Sequence, residues 1–148
     1  MKEWLVDTNV LLDVIGADPT FGEQSKRALC DCADTGVLVI NPIVYAEVGA
    51  WADTLEELDE LVPESIFRRD PIPWESAFLA GRAFARYKLS GGAKQRVLPD
   101  FLIGAHAVVA GFGLITRDRD IGKHFHIEIL DPSYYGEEQF LEKLNGLS

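Results

Sequence analysis

EWLVDTNVLLD, residues 3–13, is the stretch on which the reading of this chain turns. It opens with a short apolar run, Trp4-Leu5-Val6, which ends in a carboxylate at Asp7. Such a run, bounded by a charged residue, reads as a short strand. TNVLLDVIG follows at once and reads as a short helix that stops at Gly16. A strand delivering its chain straight into a helix is the opening half of a layered α/β unit.

The same alternation continues outward. Residues 22–36, GEQSKRALCDCADTG, form a second helical pattern closed by Gly36. VLVIN, residues 37–41, is the best strand candidate, rich in β-branched residues and leucine. Asn41 can cap the next helix, PIVYAEVGAWA, and Pro42 suits its first position. TLEELDELV, residues 54–62, is another helix with a threonine cap. Residues 73–89 are helical too, and the spacing of Ala77, Phe78, Gly81, Phe84 and Ala85 predicts its apolar face. Ser90-Gly91-Gly92 breaks it. Pro99 opens a helix over residues 100–112, GLITRD and IEIL (127–130) read as strands, and Tyr135–Leu144 reads as a last helix. No linker divides the chain, so residues 1–148 are expected to be one α/β domain. A short, mainly parallel sheet would be flanked by helices on both faces.

Composition narrows the class. A 148-residue chain that is 47% hydrophobic can build one core. No apolar run approaches the roughly 18 residues of a membrane span. MKEWLVDTNV carries no leader-like apolar segment, so a cytoplasmic location is expected. Cys30 and Cys32 lie two apart in a helix, on different faces, and are expected to be small packing residues rather than a pair or a zinc site. Trp51, Phe78 and Phe84 are expected in the core, with a groove or interface as the alternative.

The formal charge is −10, which speaks against a nucleic-acid partner until its distribution is considered. Ser76–Pro99 contains no acid but holds Arg82, Arg86, Lys88, Lys94 and Arg96. The chain is an acidic body with one basic segment.

Ligands of open α/β sheets bind at the carboxyl ends of the strands. Asp7 ends the first strand, and Asp118 follows the strand LIT. Glu47 sits early in the helix after VLVIN, between apolar neighbours, and Asp100 lies in the first turn of the helix opened by Pro99. All four can therefore occupy one side of the sheet. Two unit charges about 4 Å apart repel by around 4 kcal/mol at an effective dielectric near 20, so such a cluster calls for a cation. With no histidine or cysteine among the four, the donor set is hard and oxygen-only, favouring Mg²⁺ or Mn²⁺ over Zn²⁺. Each acid also has an ordinary reading. Asp7 can be a helix cap, Asp100 a charge at a positive helix end, Glu47 a solvated residue and Asp118 a turn residue.

VDTNVLLD resembles the opening motif of PIN domains, especially VapC-type toxins of toxin–antitoxin pairs. PIVYAEV resembles the family's second acidic motif, VLPDFLIGAHA its third and GLITRDRD its fourth. They occur in the family's order, from the start of the chain to about Asp120. The resemblance implies a PIN fold and an Mg²⁺- or Mn²⁺-dependent endoribonuclease acting on RNA phosphodiester bonds. It places Asp7, Glu47, Asp100 and Asp118 at the family's acidic positions, with Asp7 and Asp100 as direct metal ligands. Glu47 and Asp118 would hold ion-bound waters or a second ion. Asp120 is a further candidate ligand, and Asn9 and Thr116 match supporting polar positions. Asp13 fits the opening motif but is expected to be solvated or structural. Lys94, Arg96, Arg117 and Arg119 are the RNA-contact candidates. The resemblance also implies a homodimer and a cognate antitoxin that presents an apolar helix and a basic side chain.

Two other readings stay open. A haloacid-dehalogenase-like phosphatase also starts with a strand ending in Asp, but needs a second Asp where this chain has Asn9. An inactive PIN-like module that binds RNA or protein would keep the fold without the chemistry. No phosphate-binding glycine loop is present, which removes the nucleotide triphosphatases.

Overall fold

The computed structural model describes residues 1–91, 96–135 and 146. Five strands form one sheet: β1 (Lys2–Val6), β2 (Gly36–Ile40), β3 (Phe67–Arg69), β4 (Gly113–Ile115) and β5 (Ile129–Leu130). Their order is β3-β2-β1-β4-β5, and every neighbouring pair is parallel. Six helices connect them: α1 (Thr8–Ile15), α2 (Gly22–Thr35), α3 (Pro42–Gly49), α4 (Leu55–Leu61), α5 (Trp74–Leu89) and α6 (Leu98–Ala110). A short 3-10 helix, Arg119–Lys123, follows β4. The expected α/β class and parallel sheet are borne out.

Successive residues of a strand point to opposite faces. Trp4, Leu5 and Val6 are nevertheless all buried, as are Leu38, Val39 and Ile40. Both faces of the sheet are therefore covered. This is why these strands read as continuous apolar runs rather than as alternating ones. Gly36 is demanded by the start of the sheet, because a Cβ there would stand 2.3 Å from the Lys2 carbonyl oxygen. Gly104 lets α6 approach the 3-10 region, since a Cβ would meet the Phe125 ring at 2.6 Å.

Two expectations need correction, and one strand was not foreseen. β3 was not legible as a strand. It carries Arg68 and Arg69 and forms because β2 offers it a partner at the sheet edge. On α5, the buried face is Ser76, Ala80, Ala83 and Tyr87, whereas Phe78 is 72% exposed. Small side chains let α5 lie close against α6, so packing selected the narrow face over the bulky one. Trp51 is likewise 69% exposed, not in the core, while Phe84 is partly buried and meets Phe101 edge-on at 5.5 Å. Cys30 is exposed and Cys32 buried, and neither is bonded. The last expected helix, Tyr135–Leu144, lies almost wholly outside the described residues. No described helix is long and apolar enough to cross a membrane.

The chain leaves β1 toward β2 on one side and later returns to lay β4 on the other. The order reverses between β1 and β4, and the crevice at such a reversal is where open α/β sheets bind ligands.

Candidate active site

Asp7 occupies that crevice. It is the N-cap of α1, and its Oδ1 accepts the Thr8 backbone N–H at 2.8 Å. Its Oδ2 accepts the Thr116 hydroxyl at 2.7 Å and the Asn9 amide at 3.2 Å. The capping role of Asp7 is therefore real, and it fixes the carboxylate at the sheet's end. Thr116 is fully buried, just beyond β4. Its oxygen also accepts from the Asp118 backbone N–H at 2.9 Å and from Asn9 at 3.3 Å. One hydroxyl thus joins the ends of β1 and β4. Asn9 Oδ1 adds a bond from the Arg117 backbone N–H at 3.3 Å.

Glu47 and Asp100 face the same place. Glu47 is exposed on α3 and accepts the Thr8 hydroxyl at 2.8 Å. Asp100 stands in the first turn of α6 and accepts the Val97 backbone N–H at 3.3 Å. Burial above all, then the charges of Glu47 and Asp100, push the Asp7 carboxyl up to about 6, against the pull of its Thr116 and Thr8 hydrogen bonds. Among the described residues, no cation is ion-paired to Asp7, Glu47 or Asp100, and no three ligating side chains have closed around one point.

A buried polar bridge that sequence reasoning missed holds α3 and α6 together. Asn41 caps α3 by accepting the Val44 N–H at 3.0 Å, and its amide donates to His106 Nδ1 of α6 at 3.1 Å. Burial lowers the His106 pKa, which favours the neutral ring that can accept this bond. The two helices that carry Glu47 and Asp100 are thereby tied behind the site. The sequence marked Asn41 only as a cap, and nothing local pointed to His106.

Asp118 differs from the other three acids. Arg96 grips it with both prongs, Nη1 to Oδ2 at 2.6 Å and Nη2 to Oδ1 at 2.7 Å. The Arg96 side chain is only 9% exposed, and its backbone N–H donates to the Tyr87 hydroxyl at 3.2 Å. The bond to Asp118, with the charges of Asp118, Asp100 and Asp120, holds the guanidinium firmly protonated. Removing one partner of a buried pair costs about 3–5 kcal/mol. Asp118 is a third exposed, so about 2–3 kcal/mol is the fitting scale here. Asp120 lies beyond, in the 3-10 helix; its N–H donates to Asp118 Oδ1 at 3.1 Å and its carboxylate meets Lys123 at 3.2 Å.

The other basic candidates are also engaged. Arg117 forks onto buried Asp13 at 2.7 and 3.0 Å and lies over the Phe21 ring. Arg119 bonds Asp131 at 2.8 Å and covers the Tyr134 ring. Lys94 lies outside the described residues. Asp13 is structural and not solvated: it is buried and also takes the Ser25 hydroxyl at 2.9 Å. A cleft of about 330 Å³ opens beside Asp118, lined by Phe21, Arg117, Arg119, Asp120, Asp131 and Tyr134.

Comparison with known proteins agrees with the family resemblance. The family model described as PIN domain matches residues 4–124. No curated protein matches the sequence. Among solved structures, VapBC2 from Rickettsia felis bound to a promoter DNA fragment is similar, with TM-score 0.69 and 17% identity, covering 86% of this chain and 97% of that one. DNA-bound VapBC from Salmonella typhimurium gives TM-score 0.68 at 21% identity, covering 89% and 99%. VapBC-1 from nontypeable Haemophilus influenzae gives 0.67 at 18%, covering 88% and 98%. At these identities the likeness is one of fold.

Proposed function

Since the chain belongs to the PIN domain family, we propose that it is a divalent-metal-dependent endoribonuclease and the toxin of a toxin–antitoxin pair. The observation that carries this reading is the state of Asp7. A carboxylate at the strand-order reversal is held by neutral donors and pushed up to about 6, with Glu47 and Asp100 beside it. The donor set fits Mg²⁺ or Mn²⁺: it is oxygen-only, and a cation would offset both the burial of the Asp7 charge and the smaller repulsion from Glu47 and Asp100. Asp7, Asp100 and Glu47 are the residues that would hold the ion. When bound, such an ion polarises a phosphoryl oxygen and makes a water a better nucleophile at neutral pH. Thr116 and Asn9 fix the Asp7 rotamer, so the carboxylate is positioned before any ligand arrives. The Asn41–His106 bridge does the same for the helices behind Glu47 and Asp100.

RNA would enter across the cleft beside Asp118, where Arg117 and Arg119, though paired with Asp13 and Asp131, keep further N–H donors for a phosphate beside aromatic rings. An antitoxin suits the remaining surface. A basic side chain would be drawn to the acids, and exposed Trp51, Trp74 and Phe78 offer apolar area to an antitoxin helix or a second copy. The cytoplasm is where such a pair would act. The phosphatase reading is disfavoured by Asn9, whose amide donates to Asp7 and has no acid proton to give.

The test is incubation of the purified protein with total RNA and Mg²⁺ or Mn²⁺, beside D7N and D100N. Cleavage that is lost at least about 100-fold in both variants, and abolished by EDTA, is expected. Folded protein that binds neither ion and cuts nothing overturns the reading and leaves an inactive binding module. Phosphate release from small phosphoesters would favour the phosphatase. A short antitoxin-like reading frame beside this one is the expected genomic context.

A further inference from the structure

We infer that Arg96 takes the place of a second metal ion, so that the site loads a single divalent cation at Asp7, Glu47 and Asp100. This rests on the metal-dependent reading above and specifies its stoichiometry. Two-metal sites need carboxylates to hold a second ion about 3.5–4 Å from the first. The acids that could add to the first three are Asp118 and Asp120; Asp120 faces Lys123 at 3.2 Å, and both oxygens of Asp118 are committed to the Arg96 fork. Its Oδ1 carries a further bond from the Asp120 N–H.

The arginine is built in rather than draped over the site. Its side chain is buried, its backbone is anchored to Tyr87, and Asp118 is itself tied through its N–H to Thr116 and so to Asp7. A second cation binding with a dissociation constant of about 1 mM would gain little beyond what rupture of this pair costs. Mg²⁺ also gives up its waters reluctantly, whereas a guanidinium is weakly hydrated and permanently charged. Its fork has N–H donors beyond the two used on Asp118, and these can serve a phosphoryl oxygen as a second cation would. Arg96 therefore positions Asp118 and supplies the second positive charge of the site.

Mn²⁺ titration of the intact chain, followed by calorimetry and by the electron paramagnetic resonance of free Mn²⁺, decides the matter. Wild type should bind one ion, R96Q two, and R96K one. R96Q combined with D118N should return to one. RNA cleavage should fall at least tenfold in R96Q and recover partly in R96K. Should R96Q fail to fold, the wild-type stoichiometry and the Arg96 Nε–H resonance decide alone. On adding Mg²⁺ that resonance should stay in place while amides around Asp7 shift. Two ions bound by wild type, one bound by folded R96Q, or displacement of the arginine signal by Mg²⁺ would each overturn the inference while leaving the nuclease reading intact. Failure of both wild type and R96Q to bind any Mn²⁺ would overturn both.

Discussion

Asp7 and Asp13 stand at the two ends of α1 and meet opposite surroundings. Asp7 is held by a backbone N–H, a threonine hydroxyl and an asparagine amide, all neutral. Asp13 is buried against the Arg117 fork and the Ser25 hydroxyl. The same residue type, six positions apart, has a counter-charge at Asp13 and none at Asp7, where burial is the main penalty on the charged form. An acid whose counter-charge comes from its own chain holds the fold together. An acid given only neutral donors is positioned but not neutralised, which leaves room for an external cation.

Stability measurements can break this contrast most directly. Asp13→Ala should cost about 3 kcal/mol in urea unfolding, because Arg117 loses its buried partner. Asp7→Asn should move the metal-free protein the other way, by about 1 kcal/mol. Its carboxyl is pushed from the usual 3.8 up to about 6, chiefly by burial, a penalty of up to roughly 3 kcal/mol at neutral pH, part of which the altered hydrogen bonds give back. Destabilisation of the same size in both variants would remove the distinction.

Thr116→Val sharpens it on the functional side. The swap keeps the shape but removes the hydroxyl that donates to Asp7 and accepts from Asp118. RNA cleavage should fall about 10- to 100-fold, with a stability loss of only about 1–2 kcal/mol. Unchanged turnover would mean that Asp7 needs no orienting partner.

The smallest effect is in pH dependence. The folded Asp7 pKa of about 6 lies above the unfolded value, so the native state binds the extra proton first. Metal-free wild type should gain stability, relative to D7N, as pH falls from about 7 to about 4, and lose it as pH rises through 6. Competition between proton and metal should weaken Mn²⁺ binding about tenfold between pH 7 and pH 5. Thermal melts of the two proteins across this range, with Mn²⁺ titrations at both ends, check the sign.

Much of the fold was legible because its signals are local. β1, β2, β4 and β5 announce themselves as short apolar runs, and Asn41, Pro42 and Thr54 mark helix starts by their capping chemistry. β3 was not legible, because Phe67–Arg69 has little strand character of its own and is ordered by β2. The face of α5 was misread, because hydrophobic spacing reports bulk whereas close packing on α6 selects small residues. The four candidate acids were readable from strand ends and motifs, and Asp7 lies within the electrostatic reach of Glu47 and Asp100. His106 was not readable, since its role comes from a partner 65 positions away.

The sequence by itself determined the order of elements and which acids arrive at the carboxyl edge of the sheet, since strand periodicity, caps and motif spacing are properties of neighbouring residues. Only the tertiary structure decided which of those acids is already neutralised. Arg96 reaches Asp118 across 22 positions and Arg117 reaches Asp13 across 104. Ion pairing depends on distance in space and on burial, and both exist only once the sheet has brought the chain's distant segments together.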